Sequence, residues 1–132
     1  MSRTAPLVVT LIMLITAAAT GFASPSAPQS TPDIRKHVTS GKKTIIFFLN
    51  PFGLPCKKQG EILTALQKDR KNGFNIAYVG TDKEENRQAF YDYGVRSLPL
   101  VVLVDSKGMI SKVFPPGIQP YETLAAALDG AK

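Results

Sequence analysis

The chain has 132 residues, enough for one compact domain, and its 16 Lys and Arg against 10 Asp and Glu give a net charge of +6. The basic residues are interspersed with acidic ones and form no aromatic-basic platform, which argues against nucleic-acid binding. One cysteine and one histidine exclude an internal disulfide and give no credible metal-ligand set. We therefore expect neither a metal nor a cofactor.

Residues 1–23 have the pattern of an export signal. Arg3 supplies positive charge, Leu7 to Ala19 is an apolar run, and Gly21-Phe22-Ala23 is a small-residue cleavage site. The run is shorter than the roughly 20 residues of a membrane span, although an uncleaved signal anchor is the alternative. The sequence thus predicts export to the periplasm or the extracellular space, with no stable membrane span once the signal is removed.

Residues 24–30 are rich in Pro, Ser and Ala, which predicts a flexible tether. The folded domain is expected to span residues 31–132. It opens with Thr31 as the N-cap and Pro32 as the first residue of a short helix, which ends at about Thr39. We expect the exported protein to be a monomer.

Lys43 to Leu49 is an apolar run of the kind found in a central strand that is buried on both faces. Turn-forming residues follow, and a helix then begins at about Pro55 with Cys56, the only cysteine, in its first turn. Helix N-termini favour an anion such as a thiolate. Cys56 precedes Leu63 by two helical turns, however, so we expect it to face the packed side of the helix. Burial would disfavour the thiolate, and the sequence leaves open which effect prevails.

The second half of the chain alternates strands and helices. Thr81-Asp82-Lys83-Glu84 is a capping-box pattern that predicts the start of a helix, and Gly94 is its predicted stop. The predicted elements are a strand at 74–79, a helix from 81 to 93, a strand at 100–104, a hairpin turn at 105–108, a strand at 109–114 and a helix from 120.

Two segments resemble the thioredoxin family. Phe52 to Lys57, with the sequence Phe-Gly-Leu-Pro-Cys-Lys, resembles the thioredoxin active-site segment, an aromatic residue followed by Cys-Gly-Pro-Cys-Lys. Tyr93 to Val104 is similar to the thioredoxin stretch whose cis-proline faces the cysteines, with Leu98-Pro99 at the matching peptide bond. The similarity runs from about Thr44 to Leu128. It implies a single-domain α/β thioredoxin-like fold, in which helices flank a central mixed β-sheet.

The chain departs from this family at two positions. Gly53 stands where thioredoxins carry the first, attacking cysteine, so Cys56 matches the second, resolving one. Phe47 stands where thioredoxins carry a buried aspartate that assists proton transfer. A two-cysteine exchange cycle within this chain is therefore excluded, and any redox chemistry must use one thiol.

One hypothesis is an exported monothiol redox protein. The Cys56 thiolate would attack a disulfide or sulfenic acid of a client protein, and an external thiol or redox partner would resolve the mixed disulfide. The resemblance implies that clients dock on the surrounding residues, which are Phe52, Gly53, Pro55, Lys57, Leu98 and Pro99.

A second hypothesis is a non-catalytic module that binds peptides or scaffolds complexes, with Cys56 as a small buried side chain. Gly53 and Phe47 favour it, since both replace expected catalytic groups. A weaker third hypothesis is a thiol peroxidase. Such enzymes place a Thr three residues before the cysteine and an Arg nearby, whereas here position 53 is Gly and only Arg96 is a candidate. Whether the chain is an enzyme is thus left open.

Overall fold

The computed structural model describes residues 24–132, so the predicted signal at 1–23 lies outside the described residues. The order of helices and strands is the predicted one, with a short 3-10 helix added. The elements are α1 (Pro32–Val38), β1 (Thr44–Leu49), α2 (Leu54–Asp69), β2 (Asn75–Gly80), the 3-10 helix (Glu84–Asn86), α3 (Arg87–Asp92), β3 (Leu100–Val104), β4 (Ile110–Val113) and α4 (Tyr121–Gly130).

The four described strands form one mixed sheet in the order β2-β1-β3-β4. Strand β1 pairs in parallel with β2, while β1 with β3 and β3 with β4 are antiparallel. Because β1 is an inner strand, both rows of its side chains are covered by protein, as its continuous apolar run predicts. This arrangement confirms the predicted α/β fold.

Separate cores lie on the two faces of the sheet. Ile45 and Phe47 face α2 and α4, where they pack with Leu63 and other buried apolar side chains. Ile46 and Phe48 point the opposite way and pack against α1 and α3. Successive side chains of one strand thus anchor both helical layers, because they alternate between the faces of the sheet.

The segment at 24–30, expected to be a flexible tether, instead lies against the domain. The carbonyl of Pro25 accepts a hydrogen bond from the Ile110 N–H at 2.8 Å, and the Ala27 N–H donates to the Gly108 carbonyl at 2.9 Å. Ala27 is buried in the core beside α1 and α3. The composition is typical of a tether, but backbone groups beside β4 accept and donate hydrogen bonds to this segment, and Ala27 packs in the core.

The helix predicted at the capping box begins later than expected. The Thr81 N–H donates to the Leu49 carbonyl at 3.0 Å, so this residue continues the pairing of β2 with β1 instead of capping a helix. The 3-10 helix then starts after Lys83, which makes no side-chain capping bond. The predicted stop is confirmed, because Gly94 adopts a left-handed φ of 64° just after α3.

Tyr93 connects α3 to the N-terminal segment. Its hydroxyl donates to the Pro28 carbonyl at 2.7 Å, and its ring packs on that of Phe48, with 5.2 Å between ring centroids. Burial, with a smaller contribution from the negative charge of Asp92, raises the pKa of Tyr93 above its ordinary value of 10.0. The folded state therefore retains this proton at pH values where the unfolded chain loses it.

We expect Tyr93→Phe to lower the free energy of unfolding at neutral pH by about 1 kcal/mol, because the Pro28 carbonyl loses its donor. Ionisation of Tyr93 should leave the stability of the parent protein unchanged below about pH 9 and should lower it as the pH rises above about 10, where only the unfolded tyrosine ionises. Tyr93→Phe should show a shallower alkaline decline. Urea unfolding at several pH values measures both effects, with the exposed Tyr91→Phe as the matched control. Equal slopes for the parent and Tyr93→Phe would contradict this assignment.

Candidate functional site

The sheet brings three loops together at one end. Phe48 of β1 lies opposite Leu100 of β3, so the C-terminal end of β1 adjoins the N-terminal end of β3. Strand β4 is antiparallel to β3 and ends at the same side. The loops at 50–53, 95–99 and 114–120 therefore meet, and we call them the three-loop surface. All site residues predicted from the sequence lie on these loops or in the first turn of α2.

Cys56 lies in the first turn of α2 with its side chain turned inward. The residue is only 3% exposed, which confirms the prediction that it faces the packed side of the helix. Its Sγ accepts a hydrogen bond from the Asn50 N–H at 3.3 Å. The N–H of Lys57 donates to the Gly53 carbonyl, which closes the first helical turn, and Cys56 lies within that turn. In this conformation an external disulfide has little access to the sulfur.

Gly53 is the N-cap of α2 and lies beside this sulfur. Its N–H donates to the Asn50 carbonyl at 3.0 Å, which closes the turn between β1 and α2. A Cβ atom added at Gly53 would lie 3.9 Å from the Cys56 Sγ and would make no closer contact than 3.5 Å, to the Asn50 carbonyl oxygen. A side chain at position 53 would therefore lie next to the thiol without displacing the backbone.

Apolar side chains project into solvent around the shielded thiol. Phe52 is 90% exposed and Leu54 is 70% exposed, and Ile118 in the third loop is also exposed. Pro55 and Lys57 are exposed in the first turn of α2. Large exposed apolar side chains that gather at one end of a domain are typical of a surface that binds another molecule.

The second loop contributes Leu98 and Pro99. The peptide bond between them is cis, as the sequence resemblance predicts. Pro99 is buried and Leu98 is half-buried. The Pro99 carbonyl accepts from the Gly117 N–H at 3.0 Å, which joins the second loop to the third. In residues 24–132 no backbone hydrogen bond engages the N–H or the carbonyl of Leu98.

Gln59 is a site residue that the sequence reasoning missed. It is fully buried in α2, one turn after Cys56. Its amide donates to the Gln119 carbonyl at 3.3 Å and its carbonyl oxygen accepts from the Gln119 N–H. Gln59 thereby fixes the third loop to α2. In the sequence, Gln59 is recognisable as a polar residue at a position of α2 that faces the core.

A cavity of about 560 Å³ opens beside Cys56 between α2 and the edge strand β2. We call it the α2 groove. The rings of Phe47 and Tyr78 meet in it edge to face, with 6.0 Å between their centroids. Burial raises the pKa of Tyr78, an effect that a hydrogen bond with Thr64 partly offsets. The lining residues are Phe47, Leu49, Asn50, Pro51, Cys56, Lys57, Gly60, Glu61, Thr64, Ala65, Lys68 and Tyr78.

The part of the chain that the structure describes contains no group of three or more His, Cys, Asp or Glu side chains placed to hold a metal ion. Over the same residues, no helix combines the length and the apolar character needed to cross a membrane.

Comparison with solved structures identifies the fold. A structure described as that of a malarial protein matches with a TM-score of 0.59 and 20% identity, over 68% of this chain and 97% of the other. Fasciola hepatica thioredoxin matches with a TM-score of 0.59 and 21% identity, over 71% and 85% of the two chains. Chloroplastic thioredoxin z matches with a TM-score of 0.60 and 14% identity, over 71% and 81%.

These similarities show that the chain has the thioredoxin-like fold. No protein-family profile matches the sequence, and no curated protein is significantly similar to it. At identities between 14% and 21% the structural matches establish the fold alone.

We expect Gly53→Cys to form a disulfide with Cys56 upon oxidation. The added Cβ would lie 3.9 Å from the Cys56 Sγ, and a disulfide brings these two atoms to about 3 Å, so a small side-chain rotation suffices. Thiol titration of the unfolded variant with Ellman's reagent should detect two thiols after reduction and none after oxidation. Gly53→Ser is the matched control and should retain one thiol throughout. Two thiols that persist under an oxidant, or pair only between molecules, would contradict the described position of residue 53.

Proposed function

We propose that this protein binds extended segments of client proteins on its three-loop surface. The observation that carries the proposal is the contrast between the exposed Phe52 and Leu54 and the buried Cys56 that they surround. The surface thus offers apolar contacts at the site where a redox protein would offer an accessible sulfur. This arrangement supports the non-catalytic hypothesis over the monothiol one.

The backbone of the second loop supports the same function. Leu98 has an N–H and a carbonyl that make no backbone hydrogen bond within the described residues, and it precedes the first residue of β3 by only two positions. An extended client segment would pair with these groups while Phe52 and Leu54 cover its apolar side chains. Gly53 and Pro55, which present no long side chain, leave room for the segment, and Lys57 would attract an acidic residue of it.

Replacement of Phe52 and Leu54 by serine should weaken client binding about ten-fold or more, because each side chain contributes apolar surface that binding would bury. The probe is a fluorescein-labelled, carboxymethylated and permanently unfolded protein, with affinity measured by anisotropy. Tyr91→Ser, which removes an exposed aromatic side chain from α3, is the matched control and should bind like the parent. Equal weakening by the control, or no binding by the parent protein, would refute the proposal.

Monothiol exchange through Cys56 is a second candidate function. It is favoured by the Asn50 N–H that points at the Sγ, since such a donor stabilises a thiolate, and by the opening of the α2 groove beside this residue. The thiolate would attack one sulfur of a client disulfide, forming a mixed disulfide and releasing the other client sulfur as a thiolate. An external thiolate would then attack the client sulfur of the mixed disulfide, leave with it as a new disulfide and restore the Cys56 thiolate.

Alkylation by iodoacetamide distinguishes the two candidates. If Cys56 is structural, its labelling in the native protein should be about a hundred-fold slower or more than in the unfolded protein, because the 3% exposed sulfur reacts only after local opening. Cys56→Ser provides the blank. Native labelling as fast as unfolded labelling would instead establish an accessible nucleophile and favour monothiol exchange.

Export is part of the proposal and is supported by residues 1–23 of the sequence. The protein would act in the periplasm or the extracellular space, where its clients could carry thiols or disulfides. The intact mass of the protein recovered from its producing cells tests this, since cleavage after Ala23 predicts an N-terminus at Ser24. An unprocessed mass would favour the signal anchor. A thiol peroxidase has less support, because Arg96 is exposed and no hydrogen bond in the described residues joins it to Cys56.

A further inference from the structure

Strand β2 leaves one side of its backbone unpaired. Within residues 24–132 it pairs with β1 alone and forms an edge of the sheet. The N–H groups of Asn75 and Thr81 donate to carbonyls of the β1 side. In a parallel ladder alternate residues bond to the same neighbour, so the backbone groups of Ile76 and Tyr78 point outward. No backbone hydrogen bond in residues 24–132 engages these outward groups.

Two cavities flank this edge and meet at Tyr78, which is 49% exposed. The α2 groove lies on one face of the sheet. A second cavity of about 400 Å³ lies beside the N-terminal end of α1, where Lys83 and Glu85 also line it. Because successive side chains of an extended chain point to opposite faces, a strand laid along Tyr78 would place them alternately in the two cavities. An extended polypeptide fits this geometry better than a small molecule does.

The α2 groove also indicates what kind of segment it accepts. Gly60 and Ala65 line its α2 side and have little or no side chain, which leaves room for small apolar side chains of a bound segment. Lys57 and Lys68 lie near its two ends along α2, and neither forms an ion pair with any described residue. Glu61 between them only partly balances their charge. An acidic residue at each end of the segment would complement the two lysines.

A second copy of this chain fits the β2 edge and the α2 groove less well than an acidic partner does. Each copy carries a net charge of +6, and pairing two β2 edges would bring together two sets of groove lysines. Like charges that face each other across an interface oppose association. The charge of the chain therefore favours a partner of opposite sign.

We propose that the open edge of β2 binds an extended segment of an acidic partner protein by strand addition. The segment directs small apolar side chains into the α2 groove and places acidic residues opposite Lys57 and Lys68. Its backbone pairs with the outward N–H and carbonyl groups of Ile76 and Tyr78. This interaction surface lies across β1 from the loop that carries Pro99. It shares Asn50 and Pro51 with the three-loop surface, but Tyr78 and Lys68 belong to the α2 groove and not to those loops.

The backbone part of the proposal is tested with Tyr78→Pro and Tyr78→Ala. Both variants lose the aromatic ring, but only proline removes the outward N–H, and edge strands tolerate proline where the N–H faces solvent. The probe is a short fluorescein-labelled peptide of alternating valine and threonine with an aspartate at each end. We expect Tyr78→Pro to bind it about five-fold more weakly than Tyr78→Ala, or weaker still. Equal affinities of the two variants would overturn the proposal.

A modified peptide tests the same bonds without altering the protein. N-methylation of the alternate amides that would face β2 should abolish binding to the parent chain, whereas methylation of the other amides should not. Bound peptide should also slow hydrogen exchange at the Ile76 and Tyr78 amides. Equal binding of the two methylated peptides, or no binding of the unmodified peptide at millimolar concentration, would refute strand addition. A dimer in sedimentation, with these amides protected before peptide is added, would assign the edge to a second copy.

The charge part is tested with the double variant Lys57→Glu/Lys68→Glu. It should bind the aspartate-ended peptide about ten-fold more weakly and should prefer a lysine-ended peptide. Lys42→Glu/Lys107→Glu carries the same net charge with both changes outside the groove, so it should retain the preference of the parent chain. Equal losses in the two double variants would show that only overall charge matters and would contradict the proposed placement of the acidic residues. Lys57 is also assigned to client binding, whereas Tyr78 and Lys68 are not, so Tyr78→Pro and the single variant Lys68→Glu separate the two functions. Each should weaken binding of the aspartate-ended peptide and leave binding of the unfolded client protein unchanged.

Discussion

Burial of β1 on both faces is the constraint on which the rest of the structure depends. Its two rows of apolar side chains hold α2 and α4 on one side and α1 and α3 on the other. Its backbone pairs with β2 and β3, so the direction of β1 places the α2 N-terminus beside the loop of Pro99. Sheet topology therefore brings the three loops together, and the hydrogen bond from Gly117 to Pro99 joins two of them. Burial of this strand also contributes much of the apolar surface that stabilises the domain.

Cys56 contributes to the packing of the fold but is shielded from other molecules. The inward direction of the side chain follows from its place on α2, and the same direction that packs the sulfur shields it from other molecules. Gly53 adds no thiol at the exposed side of the turn, although the backbone there has room for a side chain. What remains exposed is apolar, chiefly Phe52 and Leu54. This end of the domain thus exposes apolar side chains and buries the sulfur.

The features that could be predicted from the sequence are those encoded locally. The apolar run of β1, the order of the elements, the inward direction of Cys56 and the cis bond before Pro99 all follow from short patterns or from the family resemblance. The predictions that were wrong concern segments that form hydrogen bonds with residues distant in the sequence. The segment at 24–30 has a tether-like composition but is held by backbone groups around residue 110, and Thr81 has capping chemistry but extends the pairing of β2. At both positions the tertiary hydrogen bonds override the weak conformational preference of the local sequence.

The sequence by itself determined the presence of a single thiol and the absence of a two-cysteine cycle, because these depend only on residue identity. Its resemblance to thioredoxins predicted the fold. Only the tertiary structure decided how completely the thiol is shielded, that Gln59 fixes the third loop, and that among residues 24–132 nothing pairs with the outer edge of β2 between the two cavities. Each of these depends on which distant segments pack together. Strand pairing and contacts between loops are properties of the assembled sheet, and no local pattern in the chain specifies which distant segments meet.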